Sequence, residues 1–301
     1  MLAKIESDRL AKQFLRIQRE IDSVFDAFLP VVDDPRSRLV EAMRYAAIGG
    51  GKRVRPVLLV GTAEMFGVHR DAALRAGCAI EAIHVYSLVH DDLPCMDDDD
   101  TRHGKPTVHK AFDQATAVLV GDALHALAFE ILTDRATSSE PFTSAEMVET
   151  LARASGMNGM AGGQMMDMAA VGAKFDLRTI TRLQQFKTGA LLAAAVEMGA
   201  ILGRVPPEGR THLRAYARDI GLAFQIADDL LDHEGDPARA GKALRKDEGQ
   251  GKATFVSLMG ADKAREQADA LVEQAVGHLA SHGDEAWLLR SLARFIVERD
   301  R

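Results

Sequence analysis

Two aspartate clusters, Asp91-Asp92-Leu93-Pro94-Cys95-Met96-Asp97 and Asp228-Asp229-Leu230-Leu231-Asp232, are the residues of this chain best suited to hold a metal. Mg2+ takes oxygen ligands in octahedral geometry, usually from one or two carboxylates, retained waters and phosphate oxygens. Two opposed carboxylate clusters therefore point to a metal–diphosphate substrate rather than to a closed metal cage. Asp228 and Asp232 sit one helical turn apart on one face, with Asp229 beside them. In the first cluster Pro94 disfavours a helical Leu93, so the chain is expected to bend there. Asp91 and Asp97 are then the expected ligands, with Asp92 adjacent and Asp98 competing with Asp97. Either cluster alone reads equally well as a solvated acidic helix end, so the weight rests on what accompanies it.

A second set of residues suits an anion. Gly49-Gly50-Gly51-Lys52-Arg53-Val54-Arg55-Pro56 places Lys52 and Arg55 three apart, after a glycine loop and at the start of an apolar helix. There they are expected to share a face beside free N–H groups that favour an anion. Basic side chains at a helix N-terminus oppose the macrodipole, so a functional reason is required. His84 lies seven residues before Asp91, close to two helical turns, and is expected on the same face as a phosphate donor.

The elements that must carry these groups read as helices throughout. Leu10, Phe14, Ile17, Ile21, Val24 and Phe28 recur every three or four residues, describing an N-terminal amphipathic helix over 1–30. Asp34-Pro35 has the form of an N-cap followed by proline, and Thr143 with Glu146 has capping-box spacing. Gly49–Gly51, 104–106, 138–141, Pro206-Pro207 and 281–284 punctuate the pattern as loops. No linker composition divides the 301 residues, so one all-α domain, a large helical bundle with a central cavity, is expected. The polar stretch 233–252 directly after Asp232 reads as a lid loop. A net charge of −7 argues against a nucleic-acid partner. The longest apolar stretch, 190–202, is broken by Glu197 and falls short of a membrane span. Cys78 and Cys95 have no metal-ligand spacing and fit a reducing cytoplasm.

Taken in order, the glycine-Lys52-Arg-Val-Arg55-Pro segment, His84-Val-Tyr-Ser-Leu-Val-His-Asp91-Asp92-Leu-Pro-Cys-Met-Asp97, Phe186-Lys187-Thr188-Gly189 and Phe224-Gln225-Ile-Ala-Asp228-Asp229-Leu-Leu-Asp232 resemble the motifs of the trans-prenyl diphosphate synthases, the polyprenyl synthetase family. The likeness is greatest to its bacterial farnesyl diphosphate synthases and covers nearly the whole chain. It implies an isoprenoid-synthase bundle in which an allylic diphosphate (dimethylallyl or geranyl) ionises, the double bond of isopentenyl diphosphate attacks the cation, and a proton is lost. It also implies Mg2+, three ions per active site, between Asp91, Asp92, Asp97 and Asp228, Asp229, Asp232. Lys52, Arg55, His84 and the residue at His103 are implied for isopentenyl diphosphate, and Arg102, Lys187 and Lys242 for the allylic diphosphate. Lys252 is implied in closure, Thr188 and Gln225 as oxygen dipoles toward the cation, and the Gln164 and Asp167 pair in support. The released diphosphate takes the proton, so no protein base is named. A homodimer follows from the same likeness.

Two positions depart from the pattern. Relatives read Arg-Arg-Gly where this chain has Arg102-His103-Gly104, and Arg245 stands where a loop glycine is common. Tyr86, with Ser87 beside it, occupies the place where a bulky aromatic floors the hydrocarbon pocket in the family, which favours a farnesyl over a geranylgeranyl product. The competing readings are a geranylgeranyl diphosphate synthase, a terpene cyclase and a non-catalytic regulatory subunit. The second aspartate cluster disfavours the cyclase, and two intact clusters disfavour the subunit.

Overall fold

The structure, a computed structural model, describes residues 2–170, 173, 175–234 and 254–298. α1 (Leu2–Phe28) is the amphipathic helix that the spacing implies. Ile17, Ile21 and Phe25 are inaccessible, while Phe14, Val24 and Phe28 pack around them half-buried. Each such fully buried side chain stabilises the fold by about 1.5–3 kcal/mol. α2 (Ser37–Ala47), α3 (Val54–Met65) and α4 (Arg70–Asp91) follow. α2 starts later than the Asp34-Pro35 signal suggests. The Asp34 carboxylate accepts the Arg36 N–H at 2.8 Å and closes a turn ahead of the helix instead.

Beyond the first aspartate cluster the described residues hold one sheet, a two-stranded antiparallel hairpin of β1 (Thr101–Arg102) and β2 (Lys105–Pro106). The short α5 (Val108–Ala111), α6 (Gln114–Thr133), α7 (Pro141–Ser155), α8 (Met160–Ala170) and α9 (Leu177–Gln184) come next. The expected Thr143–Glu146 capping box is absent because α7 begins at Pro141, and Glu146 pairs with Arg210 at 2.6 Å. A π-helical turn, Gln185–Gly189, joins α9 to α10 (Ala190–Leu202). α11 (Thr211–Glu234) carries the second aspartate cluster, and helices Phe255–Met259, Ala261–His278 and Trp287–Glu298 complete the bundle.

The architecture is all-α. α4 packs between α3 and α6, α10 against α3, α7 and α11, and α11 against Ala261–His278. α4 and α6 are long and apolar enough, by length and composition, to cross a membrane. Both lie within the bundle, where α4 buries most of its length. The sequence reading pointed instead to 190–202 as the longest apolar stretch.

Candidate active site

The glycine loop turns through positive φ at Gly49 (77°) and Gly51 (75°), a conformation that side chains disfavour. It delivers three cations to three different fates. Arg53, just ahead of α3, is buried and bonded to Asp22 (2.7 Å), Glu81 (3.0 Å) and the Ala47 carbonyl. Its charge is therefore spent on the fold. Arg55, in the first turn of α3, has no ion pair among the described residues, and its buried Nε has no hydrogen-bond partner. Burial pushes the Arg55 pKa down, with the charge of Glu81 opposing. Lys52 is exposed and precedes the helix, so the expected shared helical face of Lys52 and Arg55 does not form. What forms instead is a loop cation beside a helical one.

His84 stands on α4 beside this group. Burial, then the charges of Arg55 and Arg102, hold its pKa well below the usual histidine range. It is a neutral ring at pH 7, fit to donate a hydrogen bond to an anion without adding charge. His103 reaches the same loop: a Cβ on Gly51 would lie 3.8 Å from His103 Nε2. Burial and then Arg102 lower the His103 pKa as well.

α4 ends at the first aspartate cluster. Asp97 N–H donates to the Asp91 carbonyl at 2.8 Å, which folds the Pro94 turn back on the helix end. Asp92 is buried and held by Arg102 Nε at 2.7 and 3.0 Å. The structure thus spends both Asp92, expected as a metal ligand, and Arg102, expected on the allylic diphosphate, on each other. Asp91 stays half-buried, and its pKa is pushed up to about 6 by burial, against Lys187 and with Asp97 and Asp92 adding to the rise.

The π-helical turn connects the two clusters. Lys187 Nζ pairs with Asp167 at 2.8 Å, and its charge also acts on Asp91 and Asp97. The next residue, Thr188, donates its hydroxyl to Gln225 Oε1 at 3.2 Å. Gln225 is buried on α11, three residues before Asp228. π turns are rare and concentrate at functional sites. Here the turn is tight against α8, because a Cβ on Gly163 would lie 2.1 Å from the Lys187 backbone nitrogen. Gln164 Nε2, one residue on, is buried with no partner.

On α11, Asp228 and Asp232 are half-buried, whereas Asp229 accepts the Phe255 N–H at 2.8 Å and so helps start helix Phe255–Met259. Asp229 therefore does structural work at the same time as sitting in the cluster. Lys242, Lys252 and Arg245, and all of the expected lid except His233 and Glu234, lie outside the described residues. His233 and Glu234 end α11 itself.

The donor set fits Mg2+. Asp91, Asp97, Asp228 and Asp232 supply oxygen only, and among the described residues neither cluster closes a three-ligand cage by itself. Substrate oxygens and water must complete such a shell, the usual way that Mg2+ binds. Burial and the neighbouring carboxylates raise the Asp91 pKa in spite of Lys187 and Arg102, an environment that a bound cation would relieve.

Comparison with known proteins identifies the family. The family profile described as polyprenyl synthetase matches residues 36–289. The chain belongs to the polyprenyl synthetase family. Farnesyl diphosphate synthase of Escherichia coli (strain K12) is 43% identical over 289 residues, covering 93% of this chain and 94% of the relative. The chloroplastic geranylgeranyl pyrophosphate synthase of Catharanthus roseus is 43% identical over 268 residues, covering 87% and 74%. The crystal structure of an FPP/GFPP synthase from Zymomonas mobilis superposes with a TM-score of 0.88 at 58% identity, covering 96% and 99%.

For this polyprenyl synthetase, sequence reasoning missed residues that support the expected site. Arg53 looked like one cation in a basic run, and only its Asp22 and Glu81 partners show it to be structural. The available signal was Glu81, a lone acid in the apolar run from Cys78 to Ile83, which burial obliges to pair with a cation.

Proposed function

We propose that the chain is a trans-prenyltransferase that joins isopentenyl diphosphate to dimethylallyl and then geranyl diphosphate, with farnesyl diphosphate as its product. The observation that carries this reading is Arg55, a half-buried guanidinium whose inaccessible Nε has no hydrogen-bond partner and which makes no ion pair among the described residues, on the helix start that precedes the metal-type carboxylate site. Two anion sites of different construction sort two diphosphates.

In this reading Lys52, Arg55, neutral His84 and His103 bind isopentenyl diphosphate without metal. Asp91, Asp97, Asp228 and Asp232 would hold Mg2+, which as a Lewis acid supports departure of the allylic diphosphate. Arg102 and Asp229 position their neighbours, Arg102 by gripping Asp92. Lys187 offers its charge to the departing diphosphate beside Asp91. The Thr188 hydroxyl proton is given to Gln225, so its oxygen lone pairs remain to face the allylic cation, a preorganised dipole. Tyr86 sits on the Asp91 helix, its ring 5.1 Å from that of His125 and 5.8 Å from that of His90, an aromatic layer suited to stop a growing chain. Ser87 bonds the His84 carbonyl at 2.8 Å and supports that donor's turn.

Incubation with Mg2+, isopentenyl diphosphate and each allylic primer, read by mass spectrometry, tests the reading. A fifteen-carbon end product is expected. A twenty-carbon product would move the chain to the geranylgeranyl reading, and no elongation at all to the non-catalytic one. Tyr86→Ala is expected to shift most product to longer chains, and an unchanged distribution would remove Tyr86 as the floor.

His103→Arg tests the departure from the family pattern. With its pKa lowered, His103 is uncharged at neutral pH and gains charge only as pH falls. The wild-type Michaelis constant for isopentenyl diphosphate should therefore rise from pH 6 to pH 8. Arginine should lower it about tenfold at pH 8, the effect of roughly 1.5 kcal/mol from a charged hydrogen bond. Equal constants for both proteins across that range would contradict the assignment.

A homodimer belongs to the same reading. α6 turns Val118, 42% exposed, and Leu119, 54% exposed, outward together with Ala115 and Ala126 around the exposed Asp122, a largely apolar face that a second copy would cover. Sedimentation giving the mass of a single 32.6 kDa chain would remove it. Two unpaired cysteines, Cys78 buried and Cys95 exposed, suit a reducing cytoplasm.

A further inference from the structure

The residues after the first cluster diverge. Asp97 interacts with Lys187 and Asp91. Asp98, in the left-handed region at φ 49°, groups instead with Asp100 and His109, and one ligand atom from each of these three lies within 4.8 Å of the others. Exposed carboxylates alone would carry no weight, because such clusters are common on surfaces. His109 changes this. It is 8% exposed, and its Nε2 is buried with no hydrogen-bond partner.

The tautomer follows from Thr107. That hydroxyl has one hydrogen, which faces the Asp99 carbonyl at 2.8 Å and the Asp100 carbonyl at 3.4 Å. The Thr107 oxygen must therefore accept from His109 Nδ1–H, 3.2 Å away. In the neutral ring Nε2 then carries a lone pair, and a buried ring nitrogen without a partner requires an explanation. A hydrogen bond that orients the ring through its other nitrogen is what ligating histidines show.

We propose that Asp98, Asp100 and His109 form a second cation site, for a borderline divalent transition ion such as Zn2+ or Co2+, separate from the Mg2+–diphosphate site. The imidazole nitrogen selects the ion class, since Mg2+ prefers an all-oxygen shell while Zn2+ and Co2+ accept nitrogen with carboxylate. Bonds of about 2.0–2.2 Å draw ligand atoms closer than the present spread, so the two exposed aspartates must rotate inward. Lys110 Nζ, 2.9 Å from Asp100, competes for that carboxylate and weakens cation affinity. A bound ion would tie segment 98–100 to α5 across the base of the hairpin that carries Arg102 and His103. The site does not depend on the prenyltransferase reading.

Titration of the full chain with Co2+ in millimolar Mg2+, without diphosphate, followed by visible absorption, tests the proposal. One saturable equivalent per chain is expected. Asp98→Asn and Asp100→Asn, both at exposed positions, should each weaken it about tenfold or more, and Thr107→Val about tenfold through lost ring orientation. Lys110→Ala should tighten it, and Asp91→Asn should leave it unchanged. The proposal is overturned if no saturable Co2+ binding survives Mg2+, if Asp98→Asn binds as wild type does, or if binding is lost with Asp91→Asn, which would place the ion at the diphosphate site. His109→Gln is a weaker test, because loss of binding there could follow from loss of packing.

Discussion

Asp91→Asn is expected to lower kcat/KM about a thousandfold, equivalent to ~4 kcal/mol of transition-state stabilisation, while the metal-free protein becomes more stable at pH 8. Both effects have one cause. Burial holds the Asp91 carboxyl near 6, above its value of 3.8 in a free chain, so ionising it costs folding free energy in the absence of a cation. For a raised pKa, the favourable contribution is complete below about 4 and is lost as pH rises through about 6. The neutral amide escapes that loss. The melting temperature of Asp91→Asn should therefore exceed that of wild type at pH 8 in chelator, and the difference should vanish near pH 4. For wild type, kcat/KM at limiting Mg2+ should fall on the acid side of about pH 6, with the limb moving lower as Mg2+ rises. An acid limb that ignores Mg2+, or full activity in Asp91→Asn, would remove Asp91 from the metal site.

Arg55→Met is the second large expectation, and it too moves stability and activity in opposite directions. The Arg55 guanidinium is desolvated around its buried Nε and offset only by the charge of Glu81, without an ion pair among the described residues, so replacement by an apolar side chain of similar length relieves the penalty. A gain of about 1 kcal/mol corresponds to roughly 2–4 °C in melting temperature. The Michaelis constant for isopentenyl diphosphate should rise about a hundredfold, as ~3 kcal/mol of charged hydrogen bonding is lost. Constants for the allylic substrate should change far less. The neighbouring Arg53→Met should do the reverse and destabilise the fold by about 3–5 kcal/mol, because it leaves Asp22 and Glu81 unpaired. If Arg55→Met and Arg53→Met behave alike, the division of labour between the two arginines is wrong.

That division marks where sequence reading stops. Helical periodicity exposed the all-α bundle and the N-terminal helix, because burial of one face dictates the spacing of Ile17, Ile21 and their neighbours. The i, i+4 spacing of Asp228 and Asp232 likewise revealed a shared face. Three adjacent cations, or three adjacent aspartates, have no such periodic signature. Which of them the fold takes up is decided by partners distant in sequence: Asp22 and Glu81 for Arg53, Arg102 for Asp92, and the Phe255 N–H for Asp229. The π turn was equally hidden. Thr188 and Gly189 weaken helical propensity in Gln185–Gly189 without specifying a π turn, and the turn lies in close contact with Gly163 on α8. Lys187 and Thr188 were accordingly found by resemblance, and the structure supplies their physical context, one reaching toward Asp91 and the other toward Gln225. Spacing put Asp97 ahead of Asp98 without separating them, and their surroundings differ: Asp97 interacts with Lys187 and Asp91, whereas Asp98 groups with Asp100 and His109.

Binding of isopentenyl diphosphate, measured calorimetrically in chelator and again in Mg2+, tests most directly whether the two diphosphates are sorted by the construction of their sites. The expected result is the same affinity in both conditions, lost in Arg55→Met, while a non-ionisable allylic thiodiphosphate binds only when Mg2+ is present. Isopentenyl diphosphate binding that requires Mg2+, or allylic analogue binding that does not, would contradict it.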